Sequence, residues 1–248
     1  MQRLDLTLAT PAENLALDEA LLDWAEEANS DWEFLRIWES PQPMVVVGRS
    51  SRVHQEVDEA ACRETNAPIL RRSSGGAAIV AGPGCLMYAV VLGFRLRPEL
   101  KDIGRAHAYV LGRLAATIGP LVARVGSVAH AGTSDLALVN QSSEQRKFSG
   151  NSMRVKRTHM LYHGTLMFDC DMSLVARLLR MPPRQPEYRA ARSHNDFLVN
   201  LPLARRDVIA AVQHAWPTAG RLMDWPGKRV ASLVAERFSQ SSWTYEFA

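Results

Sequence analysis

Residues 71–94 read RRSSGGAAIVAGPGCLMYAVVLGF. The run Cys85–Phe94 is the most apolar in the chain, and its length suits a buried strand, well short of the roughly 18 residues of a membrane span. Ahead of it, Ile69–Arg71 reads as a strand and Ser73–Gly76 as a Ser/Gly loop. Ala78–Val80, the turn Gly82-Pro83-Gly84 and Leu86–Leu92 read as a hairpin. Strands that follow one another through short turns predict an antiparallel sheet, not a regular βαβ alternation.

The same pattern extends outward. Thr10-Pro11-Ala12-Glu13 is a capping box with Pro at the first helical position, and apolar residues then recur at near-helical spacing to about Ala28. Trp32–Trp38 and Met44–Val47 read as strands, and Val57–Thr65 as a short helix. Ile103–Ile118 reads as a helix ended by Gly119-Pro120. Leu121–Val125, Leu136–Val139, Lys147–Ser149 and His159–Phe168 are candidate strands. Ser173 predicts the cap of a helix Leu174–Leu179, Met181–Arg192 a loop, and two helices follow at about Arg205–Trp216 and Lys228–Ser239. The fold class expected is α+β with a mixed, mainly antiparallel sheet flanked by helices. With no linker evident before about residue 180, and with the later helices reading as the rest of the same body, residues 1–248 are expected to form one domain, with no separate C-terminal domain.

Composition narrows the function classes. The 248 residues are 47% apolar and 22% charged, which suits a globular chain and excludes a disordered one. The net charge of +3 gives no concentrated basic face for nucleic acid, and Arg146–Arg157 is the densest basic spot. An anionic ligand or an acidic partner fits that balance equally well. Cys62, Cys85 and Cys170 are too scattered for a disulfide framework. The N-terminus lacks a signal layout, so a cytoplasmic chain with no membrane partner is expected. Six histidines, His54, His107, His130, His159, His194 and His214, show no ligand spacing, and no protein-held metal is expected.

Two segments carry chemistry. In Arg71–Ala78, a Ser-Gly-Gly loop lets backbone N–H groups approach a ligand, and an adjacent arginine can clamp phosphate or carboxylate. The loop is not a P-loop, and alone it reads better as a plain hairpin turn. In Arg146–Ser152, a lysine beside a Ser-Gly turn can stabilise developing negative charge, although alone it reads better as a surface lysine at a hairpin edge. The segment Arg184–Arg189 offers no mechanism of its own: it fits a loop over the site, a partner contact or a structural loop.

Taken in order, RRSSGGAAIVAGPG, Ser134-Asp135-Leu136, RKFSGNSMR and HGTL resemble the lipoate–protein ligase A family, within the superfamily of biotin ligases and octanoyltransferases. Asn14–Glu19, Leu35–Trp38 and Val45–Arg49 are similar as well. The resemblance implies a ligase that joins lipoate to ATP as lipoyl-AMP, with Mg²⁺ accompanying the nucleotide. The lipoyl group then passes to a lysine on a lipoyl-domain or glycine-cleavage H-like protein. It implies Lys147 as the catalytic lysine. It implies Arg72, Ser74, Gly75, Gly76, Ala77, Asp135 and Gly150 around the adenylate, and Trp38, His163 and Gly164 beside the acyl chain.

The chain departs from the family at Ala77 for a third glycine, Ala81 for a histidine, Cys85 for an asparagine and Ser134 for an asparagine. The two-domain ligases carry an accessory domain, so either the accessory part is a separate subunit that acts as a partner or this enzyme manages without it. The rival reading is an octanoyltransferase working through a cysteine thioester. However, Ala129 stands where one class has that cysteine, and Cys170 follows HGTL too early for another. A non-catalytic recognition module is the third reading, and retained Lys147, Arg72 and Ser74 speak against it. The glycine-rich basic loop of biotin ligases is absent.

Overall fold

The computed structural model describes residues 1–247. In chain order the elements are β1 (Gln2–Asp5), α1 (Pro11–Ala28), β2 (Phe34–Glu39), β3 (Met44–Val47), α2 (Val53–Glu56), α3 (Glu59–Glu64), β4 (Ile69–Arg71), β5 (Ile79–Ala81) and β6 (Cys85–Gly93). Then come α4 (Ile103–Val122), β7 (Ser127–Ala131), β8 (Asp135–Val139), β9 (Gln145–Val155), β10 (His159–Met167), α5 (Met172–Leu178), α6 (His194–Phe197), α7 (Arg205–Ala215), α8 (Gly227–Leu233) and α9 (Ser241–Thr244).

A seven-stranded sheet has the order β1-β2-β6-β10-β9-β8-β7, and a three-stranded sheet the order β4-β3-β5. Only β1/β2 and β3/β4 pair in parallel, so the α+β expectation with a mainly antiparallel sheet holds. The central strand β6 is buried on both faces. Met87, Ala89 and Val91 point into one apolar cluster, with α1 and the small sheet; Leu86, Tyr88, Val90 and Leu92 point into another, with α4 and α7. That two-sided burial accounts for its unbroken apolar sequence.

The capping box of α1 is formed as read: Glu13 N–H donates to Thr10 Oγ1, and Thr10 N–H to the Glu13 carboxylate. Four other expectations are corrected. First, β5 and β6 are not a hairpin, because β5 pairs with β3 and β6 crosses into the larger sheet. The crossing is held at Gly84, at φ +83°, where a Cβ would lie 2.0 Å from the Asp169 carbonyl oxygen. Second, α4 runs on through Gly119-Pro120 to Val122, since Val110, Leu114, Ile118 and Val122 form one buried stripe at i, i+4 spacing. Third, Leu121–Val125 is therefore helix end and turn, and the sheet edge is β7. Fourth, Asp171, not Ser173, caps α5.

The C-terminal elements pack onto the same body: α7 on α4, α8 on α1 and α9 on β4. Among the described residues, no helix is long and apolar enough to cross a membrane.

Candidate active site

Three arginines hold the Ser73–Gly76 loop. Fully buried Arg71 donates to the carbonyls of Gly48, Ser51 and Thr244, tying β4 to the neighbouring loop and to α9. Arg72 donates to the carbonyls of Val46 (3.1 Å), Gly75 (2.5 Å) and Ala77 (3.0 Å). Arg154 donates to the Ser73 carbonyl at 3.0 Å. Burial pushes the Arg72 guanidinium down to about 10, so it remains charged at neutral pH. Its fork is thus turned inward onto the loop, and it contributes positive potential more than free donors. Gly76 sits at φ +90°, where a Cβ would come within 2.8 Å of Arg72 Nη2.

Lys147 is not at a turn. It lies inside β9, where the register steps from Leu136↔Ser149 to Ala137↔Lys147 and leaves Phe148 as an extra residue. Such a bulge re-aims the side chains beside it. Phe148 drops into the core, and the Lys147 ammonium meets Asp135 Oδ1 at 2.8 Å. Gly150 makes room for that ammonium, since a Cβ there would lie 2.8 Å from Nζ. The other Asp135 oxygen accepts from the Tyr188 hydroxyl at 2.8 Å, and burial together with that carboxylate pushes the Tyr188 phenol upward.

These pieces meet at a cavity of about 350 Å³. Of the residues singled out in the sequence, Arg72, Gly76, Ala77, Asp135, Lys147, Gly150, His163 and Gly164 all line it. Ser74 and Gly75 do not. Ser74 Oγ lies 2.5 Å from His163 Nε2 behind the wall, and the Gly75 carbonyl accepts from Arg72 and Ser152. Trp38 is a correction. Its ring is buried in the core under the Arg36 guanidinium, 4.9 Å from the ring centre, and is absent from the cavity lining. Leu15, Val46, Ile79 and Met87 supply the apolar wall instead.

A second cavity of about 110 Å³ adjoins the first, and Ala77, Lys147, Gly150, Thr165 and Arg184 line both. Its far walls are apolar, with Met167, Val175, Leu179 and Phe197, and the Glu56 carboxylate, which accepts from Ala78 N–H at 2.5 Å, also lines it. Sequence reasoning missed Asn151, Ser152 and Thr165, although all three lie inside quoted motifs. It singled out Arg184–Arg189 without a role; Arg184, Gln185 and Pro186 form part of the cavity lining. Among the described residues, no three His, Cys, Asp or Glu converge to hold a metal ion.

The family model described as Lipoyl protein ligase A/B catalytic domain matches residues 10–213. A putative lipoate-protein ligase A of Aeropyrum pernix is 30% identical over 176 residues, 71% of this chain and 61% of that protein. The chain spans about half the length of the other curated relatives it matches. Among solved structures, the bi-partite lipoate protein ligase of Thermoplasma acidophilum, studied with its E2 lipoyl domain, superposes with TM-score 0.79 at 16% identity, covering all of this chain and 96% of that one. A lipoate-protein ligase A bound with ATP superposes with TM-score 0.75 at 17% identity, covering all of this chain and 99% of that one. At these identities the superpositions establish the fold, and the match over residues 10–213 establishes the family: the chain belongs to the lipoyl protein ligase A/B catalytic domain family.

Proposed function

We propose that the chain is an ATP-dependent lipoate–protein ligase. It activates lipoate to lipoyl-AMP and passes the lipoyl group to a lysine of a lipoyl-domain or glycine-cleavage H-like protein. One observation carries the reading: Lys147, held by Asp135, stands where two adjoining cavities meet. The wall of Leu15, Val46, Ile79 and Met87 suits an acyl chain bound by burial. The second cavity, with Arg184 at its junction, suits a nucleoside with its phosphates beside Lys147.

In the first step, the lipoate carboxylate attacks the α-phosphate, a C–O–P bond forms and pyrophosphate leaves. Two anions must approach, and the ammonium of Lys147 with the buried charge of Arg72 lowers that repulsion. In the second step, the neutral acceptor amine attacks the acyl carbon, and AMP leaves with the bonding electrons. The carboxylates on the cavities are Asp135 and Glu56, a set that suits Mg²⁺ held mainly by phosphates and water.

The cysteines favour this over thioester transfer. Among the described residues, none of the three lines either cavity. Burial pushes the Cys62 thiol up to about 11, and the neighbouring Cys170 thiol and burial push Cys85 upward too. Cys170 donates its Sγ–H to the Gly84 carbonyl. A reactive cysteine needs the opposite surroundings.

The test incubates the pure chain with ATP, Mg²⁺, lipoate and a lipoyl domain, and weighs the products. AMP and a lipoylated lysine are expected. Acyl transfer from acyl carrier protein at full rate without nucleotide would replace this reading with the octanoyltransferase one.

A further inference from the structure

Behind the wall of the larger cavity, four buried side chains are joined in series. Arg36, fully buried on β2, donates from Nη1 to Asp18 Oδ1 at 2.6 Å. The remaining Arg36 donors go to the Leu6 and Asn14 carbonyls and to Asn14 Oδ1, so the guanidinium is fixed. Asp18 Oδ2 has no hydrogen-bond partner within ordinary range. The group it faces is His163 Nδ1, at 3.5 Å. On the other side of the ring, Ser74 Oγ lies 2.5 Å from Nε2, and Ser74 is itself anchored where its carbonyl accepts from Arg49 N–H. His163 also lines the cavity.

A buried ion pair is weak as a source of stability, since the cost of desolvating two charges offsets much of their attraction. This one spans α1, β2, β10 and the glycine loop, and it ends on a ring that faces the ligand space. A carboxylate oxygen only accepts, so the proton of a neutral ring belongs on Nδ1, facing Asp18. Nε2 is then left to accept from the Ser74 hydroxyl. Arg36 already balances the Asp18 charge, and a neutral imidazole keeps the buried group of four balanced.

We propose that Asp18, backed by Arg36, is a positioning residue for the acyl site. It holds the His163 ring in the Nδ1–H tautomer with Nε2 bound to Ser74, and so fixes the wall against which the acyl group lies. With Nε2 against Ser74 and Nδ1 turned toward Asp18, His163 presents its carbon edge and face to the cavity, and its specificity is for apolar chains. The inference rests on the reading of the cavity as an acyl site, but its first readout does not.

Nitrogen-15 histidine correlation spectra of the full chain report the tautomer of His163 directly. The expected result is a neutral ring protonated at Nδ1, and a ring protonated at Nε2 overturns the proposal. The second readout is steady-state kinetics with lipoate in Asp18→Asn. Because the wall is touched in both ground and transition states, its loosening raises KM roughly tenfold or more with kcat held within about threefold. A purely structural role would instead lower kcat through loss of folded enzyme and leave KM alone. Should Asp18→Asn fail to fold around an unpaired Arg36, Asp18→Asn with Arg36→Met removes both charges together and repeats the test. Unchanged KM in whichever variant folds overturns the proposal. A chain that makes no lipoyl product at all, yet shows the Nδ1–H ring, refutes the ligase reading and not the geometry.

Discussion

The two faces of the larger sheet have different interiors. Against α4 and α7 the core is apolar: Val110, Leu114, Ile118, Val90 and Trp216 are buried, and the polar pair His107–Tyr162 is hydrogen-bonded to itself at 2.8 Å. Against α1 and the small sheet, the same depth holds Asp18, Arg36, Arg71, Arg72 and Ser74. Buried charge gains little stability over apolar packing, so the second face gives up stability for geometry. Both cavities open among the residues of that face and the adjoining strands β8 to β10. The difference teaches that the α4 face is scaffold and the α1 face carries the site.

The largest expected effect falls on the site side. If Lys147 stabilises charge in the transition state, Lys147→Ala slows adenylate formation by roughly 10²–10³-fold, the scale for removing one preorganised charge partner. Lys147→Arg rescues little, because the space beside Gly150 fits a compact ammonium and not a planar fork. A single-turnover assay for acyl-AMP measures both. Wild-type rates in the alanine variant would remove Lys147 from the mechanism.

The next effect falls on the scaffold side and is one of stability. Leu114 is fully buried in α4, and Leu114→Ala costs about 3 kcal/mol in a urea titration. The kcat/KM per folded molecule stays at the wild-type value. A fall in kcat/KM at full folding would break the division between the faces.

Many elements of the fold could be read in advance, the division between its faces could not, and the reason is physical. The capping box fixes the start of α1, and β3 and β4 stand where runs of apolar residues end at Gly48 and at the paired arginines. Local signals of that kind are carried by neighbours in sequence. Whether Gly82-Pro83-Gly84 closes a hairpin or carries the chain between sheets depends on Pro43 and Asp169, both distant in sequence, against which the two glycines pack. Lys147 and Arg72 come through the motif, but the inward fork of Arg72 comes only from coordinates. Trp38 sits on the face the alternation gives it, and the Arg36 guanidinium of the same strand lies over its ring. Asp18 and Tyr188 lie in quoted segments without a role, because the burial of a charge and a partner 53 residues away leave no periodic trace.

Acid separates the faces by a smaller effect. Burial, then His130, holds His107 below its ordinary 6.5, so the neutral ring of the α4 face loses stability as pH falls below about 6.5. Burial alone would raise Asp18, but Arg36 and His163 more than offset it and hold the carboxyl below 3.8. Its contribution is therefore full above 3.8 and is lost as pH falls further, through the lower folded value. Urea midpoints are expected to decline in these two windows. The Asp18→Asn, Arg36→Met variant loses the lower decline and keeps the upper one. A variant that keeps both would place the lower decline on other carboxylates, Glu26 among them.

The smallest effect tests where the site ends. Tyr188 comes from the Arg184–Arg189 segment, its ring packs at the edge of the α1-side core, and its hydroxyl reaches Asp135 Oδ2 at 2.8 Å. Asp135 in turn holds Lys147, so Tyr188 reaches the ammonium through two links, whereas Arg184, Gln185 and Pro186 of the same segment line the cavity directly. Tyr188→Phe removes one hydrogen bond to a carboxylate and leaves the ring packed on Phe197, with centroids 5.1 Å apart. The salt bridge to Lys147 persists in the variant and keeps Asp135 partnered, so the loss is modest: roughly 1 kcal/mol, or about fivefold in the rate of adenylate formation. The fold is unaffected, because the ring's apolar contacts are unchanged. A drop as large as that of Lys147→Ala would move Tyr188 into the site as a direct participant. No change at all would leave the segment as cavity wall, with Asp135 held by Lys147 alone.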